Sequence, residues 1–333
     1  MSILLGSEAT PGFEPTEIPG SIDESSATPL SRYRWVALWC VALVAFTLVI
    51  GLPTSRTQIF VFTALGLVAV SQGTRSATWK RVLVDWVPFY LILTVYDALR
   101  GSANKWVMPH ALPQIHIDRT LFGGEVPTVQ LQHALYTPGV AHVWDYAAFG
   151  VYMSHFVASF VIAGVLWHFN HERFRRFAFL FLTLTFAAFT TYVLYPAVPP
   201  WLAAQNEQIK PTAKIIDEMW AHVGLANGSS VFSATGHFAN PVAAMPSLHA
   251  AYPMLITLFF WPMIKRRWRP LLLLYPLAMG FTLVYTGEHY VIDVLIGWLY
   301  AATVYFGGSR VYAWWLRRRE QRRGAQVAIT PAT

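Results

Sequence analysis

The chain has 333 residues, of which 55% are apolar and 12% charged, about half the roughly 25% charged share of a soluble globular domain. With a mean hydropathy of +0.42 and 14 Trp, 15 Tyr and 22 Phe, this argues against a soluble enzyme and for a polytopic helical membrane protein with aromatic interfaces. The net charge of +7 would suggest nucleic acid as partner in a soluble chain; here cytoplasmic loops account for it and no nucleic-acid partner is expected, while the lone Cys40 leaves neither a disulfide framework nor a thiolate zinc site.

Residues 1–31 mix Pro, Ser, Thr, Gly and acidic residues without a helical apolar period and read as a disordered cytoplasmic tail lacking a signal-peptide pattern. Eight apolar runs follow: Trp35 to Leu52, Gln58 to Val70, Val82 to Ala98, Tyr146 to Trp167, Ala178 to Tyr195, Ser247 to Ile264, Leu271 to Tyr285 and His289 to Phe306. The second is short against the roughly 17 to 25 residues needed to span a bilayer. If all eight cross with the N-terminus inside, only Arg56, Arg100, Lys105, Arg119, Lys210 and Lys214 of the 24 lysines and arginines lie outside, as the positive-inside rule requires. The expected architecture is therefore an all-α polytopic membrane protein of about eight transmembrane helices. Its membrane domain spans residues 32–309, and a basic cytoplasmic tail, 310–333, anchors at an anionic inner leaflet. Two outer segments, Gly101 to Asp145 and Pro196 to Met245, are long enough to be functional without being separate domains.

Chemistry collects at the outer ends of the sixth and eighth runs. In Pro246-Ser247-Leu248-His249-Ala250 a proline suited to a first helical turn precedes a hydroxyl and an imidazole. A helix N-terminus offers unpaired N–H groups and a positive dipole end to an anion. In Gly287-Glu288-His289-Tyr290-Val291-Ile292-Asp293, His289 and Asp293 are four residues apart and share a helix face. An aspartate there takes one imidazole N–H and leaves the other nitrogen as nucleophile or base. With both helices running inward, His249 and His289 face one site, one attacking while the other protonates the leaving oxygen. Helix capping with a structural ion pair, or a metal site on the same trio, remain the alternatives; the trio lacks a third ligand at a recognised metal spacing.

The strings Pro246-Ser-Leu-His-Ala250 and His289-Tyr-Val-Ile-Asp293-Val-Leu-Ile-Gly297 resemble the second and third motifs of the type 2 phosphatidic acid phosphatase superfamily of membrane phosphatases and phosphotransferases. The resemblance spans Asn240 to Gly297 and elsewhere rests on helix count. It implies a six-helix core over residues 82–309 preceded by extra helices, with His289 as the nucleophile that forms a phosphohistidine and Asp293 as its activator. It further implies that His249 protonates the leaving group, that Ser247 binds phosphate, and that no metal or other cofactor is needed. The superfamily's first motif, a lysine followed by Arg-Pro, is absent, and the arginine expected six residues before the nucleophile is Leu283. Other cations must then neutralise the phosphate. Arg100, in Tyr96-Asp-Ala-Leu-Arg-Gly101, is the first candidate, with Lys105 and Arg119 behind it. The pattern is similar to the inositol phosphorylceramide synthase branch, which implies transfer of a phospho-headgroup from a lipid to another lipid's hydroxyl. A lipid phosphate or pyrophosphate phosphatase with water as acceptor is the runner-up. A secondary transporter or a non-catalytic lipid-binding scaffold is more distant.

His155, in the middle of the fourth run, is read as an interhelical hydrogen-bonding residue or as a group near the substrate. Asp145, at that run's outer end, is a candidate for orienting a catalytic histidine or pairing with Arg100, with a plain interfacial position as the alternative. His110, His116 and Asp118 read as a solvated loop patch. Asn227-Gly228-Ser229 fits the glycosylation sequon and is given no role. Tyr195 to Trp201 reads as an aromatic anchor at a proline-terminated helix end. The expected setting is the plasma membrane, with an extracytoplasmic site and cytoplasmic termini.

Overall fold

A computed structural model describes residues 29–50, 56–72, 76–100, 107–224 and 241–329. Every regular element among them is helical. The tail expected over 1–31 lies outside the described residues up to position 28, as do Lys105 and Asn227-Gly228-Ser229. The long helices are α1 (Pro29–Val49), α2 (Arg56–Ser71), α3 (Ser76–Arg100), α6 (Val143–Phe169) and α7 (His171–Leu194). Between α3 and α6 lie the short α4 (Leu112–Leu121) and α5 (Pro127–Leu135). After α7 come α8 (Pro200–Gln205) and α9 (Ile215–His222), so both outer segments hold helices that their Gly and Pro punctuation concealed. The chain then runs through α10 (Leu248–Phe260), α11 (Arg269–Tyr285) and α12 (Val291–Thr303). A π-helical turn, Val304–Gly308, joins α12 to α13 (Ser309–Ile329).

Three stretches among the described residues are long and apolar enough to cross a membrane: Val143–Phe169, His171–Leu194 and the continuous Val291–Arg322. Arg34–Val49, Val61–Ser71 and Leu248–Met263 are shorter apolar helices. In hydrocarbon the hydrophobic effect does not drive helix association, so close packing and interhelical hydrogen bonds must hold the bundle. Packing comes from an aromatic core shared by α3, α6, α7 and α10, with Trp86, Phe160, Phe174, Phe177, Phe181 and Phe259 at its centre.

The hydrogen bonds follow one pattern. Thr185 donates to the Phe181 carbonyl at 2.8 Å, using its only proton, so the Tyr252 hydroxyl 2.7 Å away must donate to Thr185. The same reasoning makes Tyr275 donate to Ser154 at 2.9 Å and Tyr300 to Thr191 at 2.6 Å. These three bonds tie α10 to α7, α11 to α6 and α12 to α7. Pro276 inside α11 frees the carbonyl four residues back, and Thr257 of α10 donates to that Leu272 oxygen at 3.0 Å.

The described parts of the two connecting segments after α3 and α7 form a layer over one end of the bundle. Three distant stretches meet there in parallel bridges, His110 to Ala197 and Ala197 to Ala243. Val198 N–H donates to His110 O at 2.8 Å, and Ala244 N–H to Ala197 O at 3.1 Å. Ala111, Ile115, Val126 and Val129 pack with Val198, Ala203 and Tyr290 in a small core of their own. That core joins the layer to the residue just after His289.

Candidate active site

Two helix beginnings converge beneath this layer. Ser247 caps α10, its hydroxyl accepting the Ala250 N–H at 3.2 Å, and it is fully buried. Its own N–H donates to the Asp293 carbonyl at 3.1 Å, which stitches the first turns of α10 and α12 together. Gly297 makes this approach possible: a Cβ there would lie 2.4 Å from the Ser247 backbone carbonyl oxygen. Pro253 also withholds the N–H that would bond the His249 carbonyl, which loosens α10 at its first turn.

His249 and His289 face each other with ring centroids 5.6 Å apart. His289 Nδ1 lies 3.6 Å from Asp293 Oδ2, and both residues are buried. Asp293 Oδ2 also accepts the Tyr290 N–H at 3.0 Å, while Oδ1 is buried without a hydrogen-bond partner among the described residues. With Nδ1 turned to the carboxylate, Nε2 is the nitrogen left to react. A 3.6 Å separation is longer than a formed hydrogen bond, and catalytic bonds are often long before substrate binds.

The loop carrying His289 is locked from three sides. Gln132 of α5 donates to Tyr285 O and Ala213 O, each at 2.9 Å, and accepts the Ala213 N–H at 2.8 Å. Trp201 N–H donates to Gly287 O at 3.1 Å, and Ile215 N–H to Thr286 O at 3.3 Å. Gly287 has φ of +81°, and a Cβ there would meet Ala213 O at 2.7 Å, so both its backbone angle and its space require glycine.

Asp118 is the residue that sequence reasoning misplaced. Read as part of a solvated patch, it is fully buried, and its two oxygens accept the Val291 and Ile292 N–H groups at 2.9 and 3.1 Å. It therefore caps α12 from 173 residues away and is the anion already seated at that helix end. Burial pushes its carboxyl up to about 6, against the pull of the two N–H donors. Glu288 was also passed over. Burial raises its carboxyl pKa while Lys214 opposes the shift, and Oε1 has no hydrogen-bond partner among the described residues.

Of the other expected residues, His155 joins the site, its ring centroid 4.0 Å from that of His249. Asp145 is buried and otherwise engaged: Tyr285 donates to Oδ1 at 2.5 Å, and the His142 N–H donates to Oδ2 at 2.8 Å, capping α6. Arg119 is half-buried on α4 and acts electrostatically on Tyr290 and Glu125. The backbone of Arg100 closes α3, but its side chain, like all of Lys105, lies outside the described residues.

Residues 115–306 match the family model described as the PAP2 superfamily. A protein of Bacteroides thetaiotaomicron named phosphoinositol dihydroceramide synthase is 30% identical over 257 residues, covering 73% of this chain and 80% of that protein. No solved structure matches.

Proposed function

Because the chain belongs to the PAP2 superfamily, we propose that it is a membrane phosphotransferase that moves a phospho-headgroup from one lipid to another lipid's hydroxyl through a phosphohistidine on His289. The observation that carries this reading is the pair of imidazoles 5.6 Å apart with a buried carboxylate behind one of them. The family and the relative together support a lipid phosphotransferase or phosphatase. The name of the relative, and the lack of the cationic first motif, favour a headgroup of the phosphoinositol type and a ceramide-like acceptor.

In the first half-reaction His289 Nε2 attacks phosphorus, the N–P bond forms, and the P–O bond to diacylglycerol breaks as His249 gives its proton to the departing oxygen. In the second, His249 takes the proton of the acceptor hydroxyl, the new O–P bond forms and the N–P bond breaks. Asp293 holds His289 in the reactive tautomer and stabilises the imidazolium. Ser247 and the first turn of α10 receive phosphate oxygens, with Arg119, Arg100 and Lys105 as the cationic groups of the outer side.

The reading carries a topology of eight crossings over residues 32–309 with both termini cytoplasmic, supported by the charge distribution along the chain. The site then opens at the extracytoplasmic interface of the plasma membrane, where a lipid enters laterally between helices.

The test uses purified protein in detergent with EDTA, phosphate-labelled phosphatidylinositol, and ceramide present or absent. Label is expected on wild type and not on His289→Ala, followed by transfer to ceramide. Release of label to water alone would replace the transferase reading with the phosphatase one, and no His289-dependent label would remove both.

A further inference from the structure

The membrane-embedded His155 is not used by the two-histidine scheme. It lies three residues after Tyr152 on α6, on the face turned to α10. The His249 ring is held between these two side chains: Tyr152 stacks on it at 5.0 Å and 17°, and His155 meets it at 4.0 Å and 34°. His155 in turn stacks on Tyr252, one helical turn along α10, at 5.1 Å and 10°. Tyr252 is fixed by the hydroxyl it donates to Thr185 of α7. Three helices thus define where the His249 ring sits.

Packing alone does not require an imidazole at position 155. The neighbouring positions on this face of α6 are Phe149, Tyr152 and Phe156, and a phenyl ring would stack on Tyr252 equally well. A histidine inside a membrane helix is costly and marks a functional position. Two imidazolium rings at this distance repel strongly, so the pair carries no more than one proton. The ionisable groups around the pair are Tyr152 on α6, Tyr252 on α10, and His289 with Asp293 at the start of α12. His249 touches both His155 and His289.

We propose that His155 is a positioning residue that forms an imidazole pair with His249, orienting the acid and holding the pair to a single proton in each half-reaction. In the first, the proton leaves the pair through His249 for the diacylglycerol oxygen as the P–O bond breaks. In the second, the pair recovers a proton from the acceptor hydroxyl as the N–P bond breaks, so the count balances over a turnover.

This rests on the histidine-transfer reading, and a substrate with a different leaving group separates the two. Wild type, His155→Phe, His155→Gln, His249→Ala and His289→Ala are assayed on phosphatidylinositol with ceramide and on 4-nitrophenyl phosphoinositol, whose nitrophenolate departs without a proton. In single-turnover measurements of leaving-group release, which the shared second half-reaction does not enter, His155→Phe is expected to lose roughly 10- to 100-fold on the lipid and to stay within about twofold on the aryl ester. His155→Gln, which restores polar nitrogen and oxygen, recovers part of the lipid rate. A poorly folded preparation lowers both substrates together, so their ratio on one preparation is the reading. The variant pair His155→Phe with His249→Ala is expected to be no slower on the lipid than His249→Ala alone, as for residues that act as one unit. Equal losses on both substrates, no loss on the lipid, or additive losses in the double variant would overturn the proposal. Aryl-ester cleavage that survives His289→Ala would overturn the histidine-transfer reading, and the proposal with it.

Discussion

Aspartate and histidine meet at both ends of the bundle, and the two meetings differ in what surrounds the carboxylate. At the α6–α7 turn, Asp85 of α3 is shared by three groups: His171 Nε2 at 3.3 Å, the Arg175 guanidinium at 3.6 Å and the Trp167 indole N–H, which donates at 3.1 Å. At the other end, Asp293 has a backbone N–H, an imidazole at 3.6 Å and one oxygen buried with no hydrogen-bond partner among the described residues. The first carboxylate has its charge balanced by groups of the protein and docks α3 onto the α6–α7 hairpin. The second is left short of partners in a buried setting, where an unmade hydrogen bond is expensive. A histidine that becomes positively charged during a reaction would supply what it lacks. The difference between a tie and the proposed reactive centre lies in that deficit rather than in the residue types.

Swapping each carboxylate for an amide is the sharpest way to break this contrast. Asp293→Asn is expected to cut turnover by roughly 10³-fold, because an amide disturbs the His289 tautomer, with little change in melting temperature. Kinetics and a thermal melt on the same preparation check both halves, and a large fall in stability with intact turnover would reverse the assignment. Gly297→Ala comes next in size. A methyl group 2.4 Å from the Ser247 backbone carbonyl oxygen forces α10 from α12 and should lower stability by about 1–3 kcal/mol, with a widened His249 to His289 distance visible as lost turnover on both lipid and aryl substrates. Asp85→Asn should do the opposite of Asp293→Asn. It weakens partly exposed ion pairs and one indole bond, a loss of about 1 kcal/mol, and leaves turnover within about twofold.

The smallest effect concerns Asp118 and has a definite sign with pH. Its carboxyl is raised to about 6 in the folded protein from about 3.9 in the unfolded chain. The stabilisation linked to that shift is full below the unfolded value and fades as pH rises through 6. Asp118→Asn removes this dependence, so melting temperatures of wild type minus variant should be larger at pH 5 than at pH 7. A difference that grows with pH would show the carboxylate to be favoured in its charged form.

How far the molecule was legible in its sequence follows from the reach of each interaction. Ser247, His249, His289 and Asp293 lie in two short strings that the structure brings together, although His289 sits in the loop before α12 rather than on a helix face shared with Asp293. The short helices α4, α5, α8 and α9 were hidden because the prolines that open three of them read equally as loop punctuation. Asp118 and Gln132 act on backbone groups 173 and 153 residues away, and no local pattern announces a cap supplied across such a span. Asp145 shows the reverse limit. An acid beside an aromatic helix start looks reactive in one dimension, while its two oxygens are taken by Tyr285 and by its own helix. His155 was recognisable as out of place, but only the fold shows that its neighbour is His249.

The cap that Asp118 places on α12 also bears on how the protein is made. Synthesis runs from the N-terminus, so α4 and its carboxylate leave the ribosome long before Val291 and Ile292, the groups they serve. Until α12 is made, His249, the proposed acid, has no proposed nucleophile opposite it. On the proposed reading, a chain interrupted at any point before α12 is inert toward lipids, and reactivity arrives in a single late step.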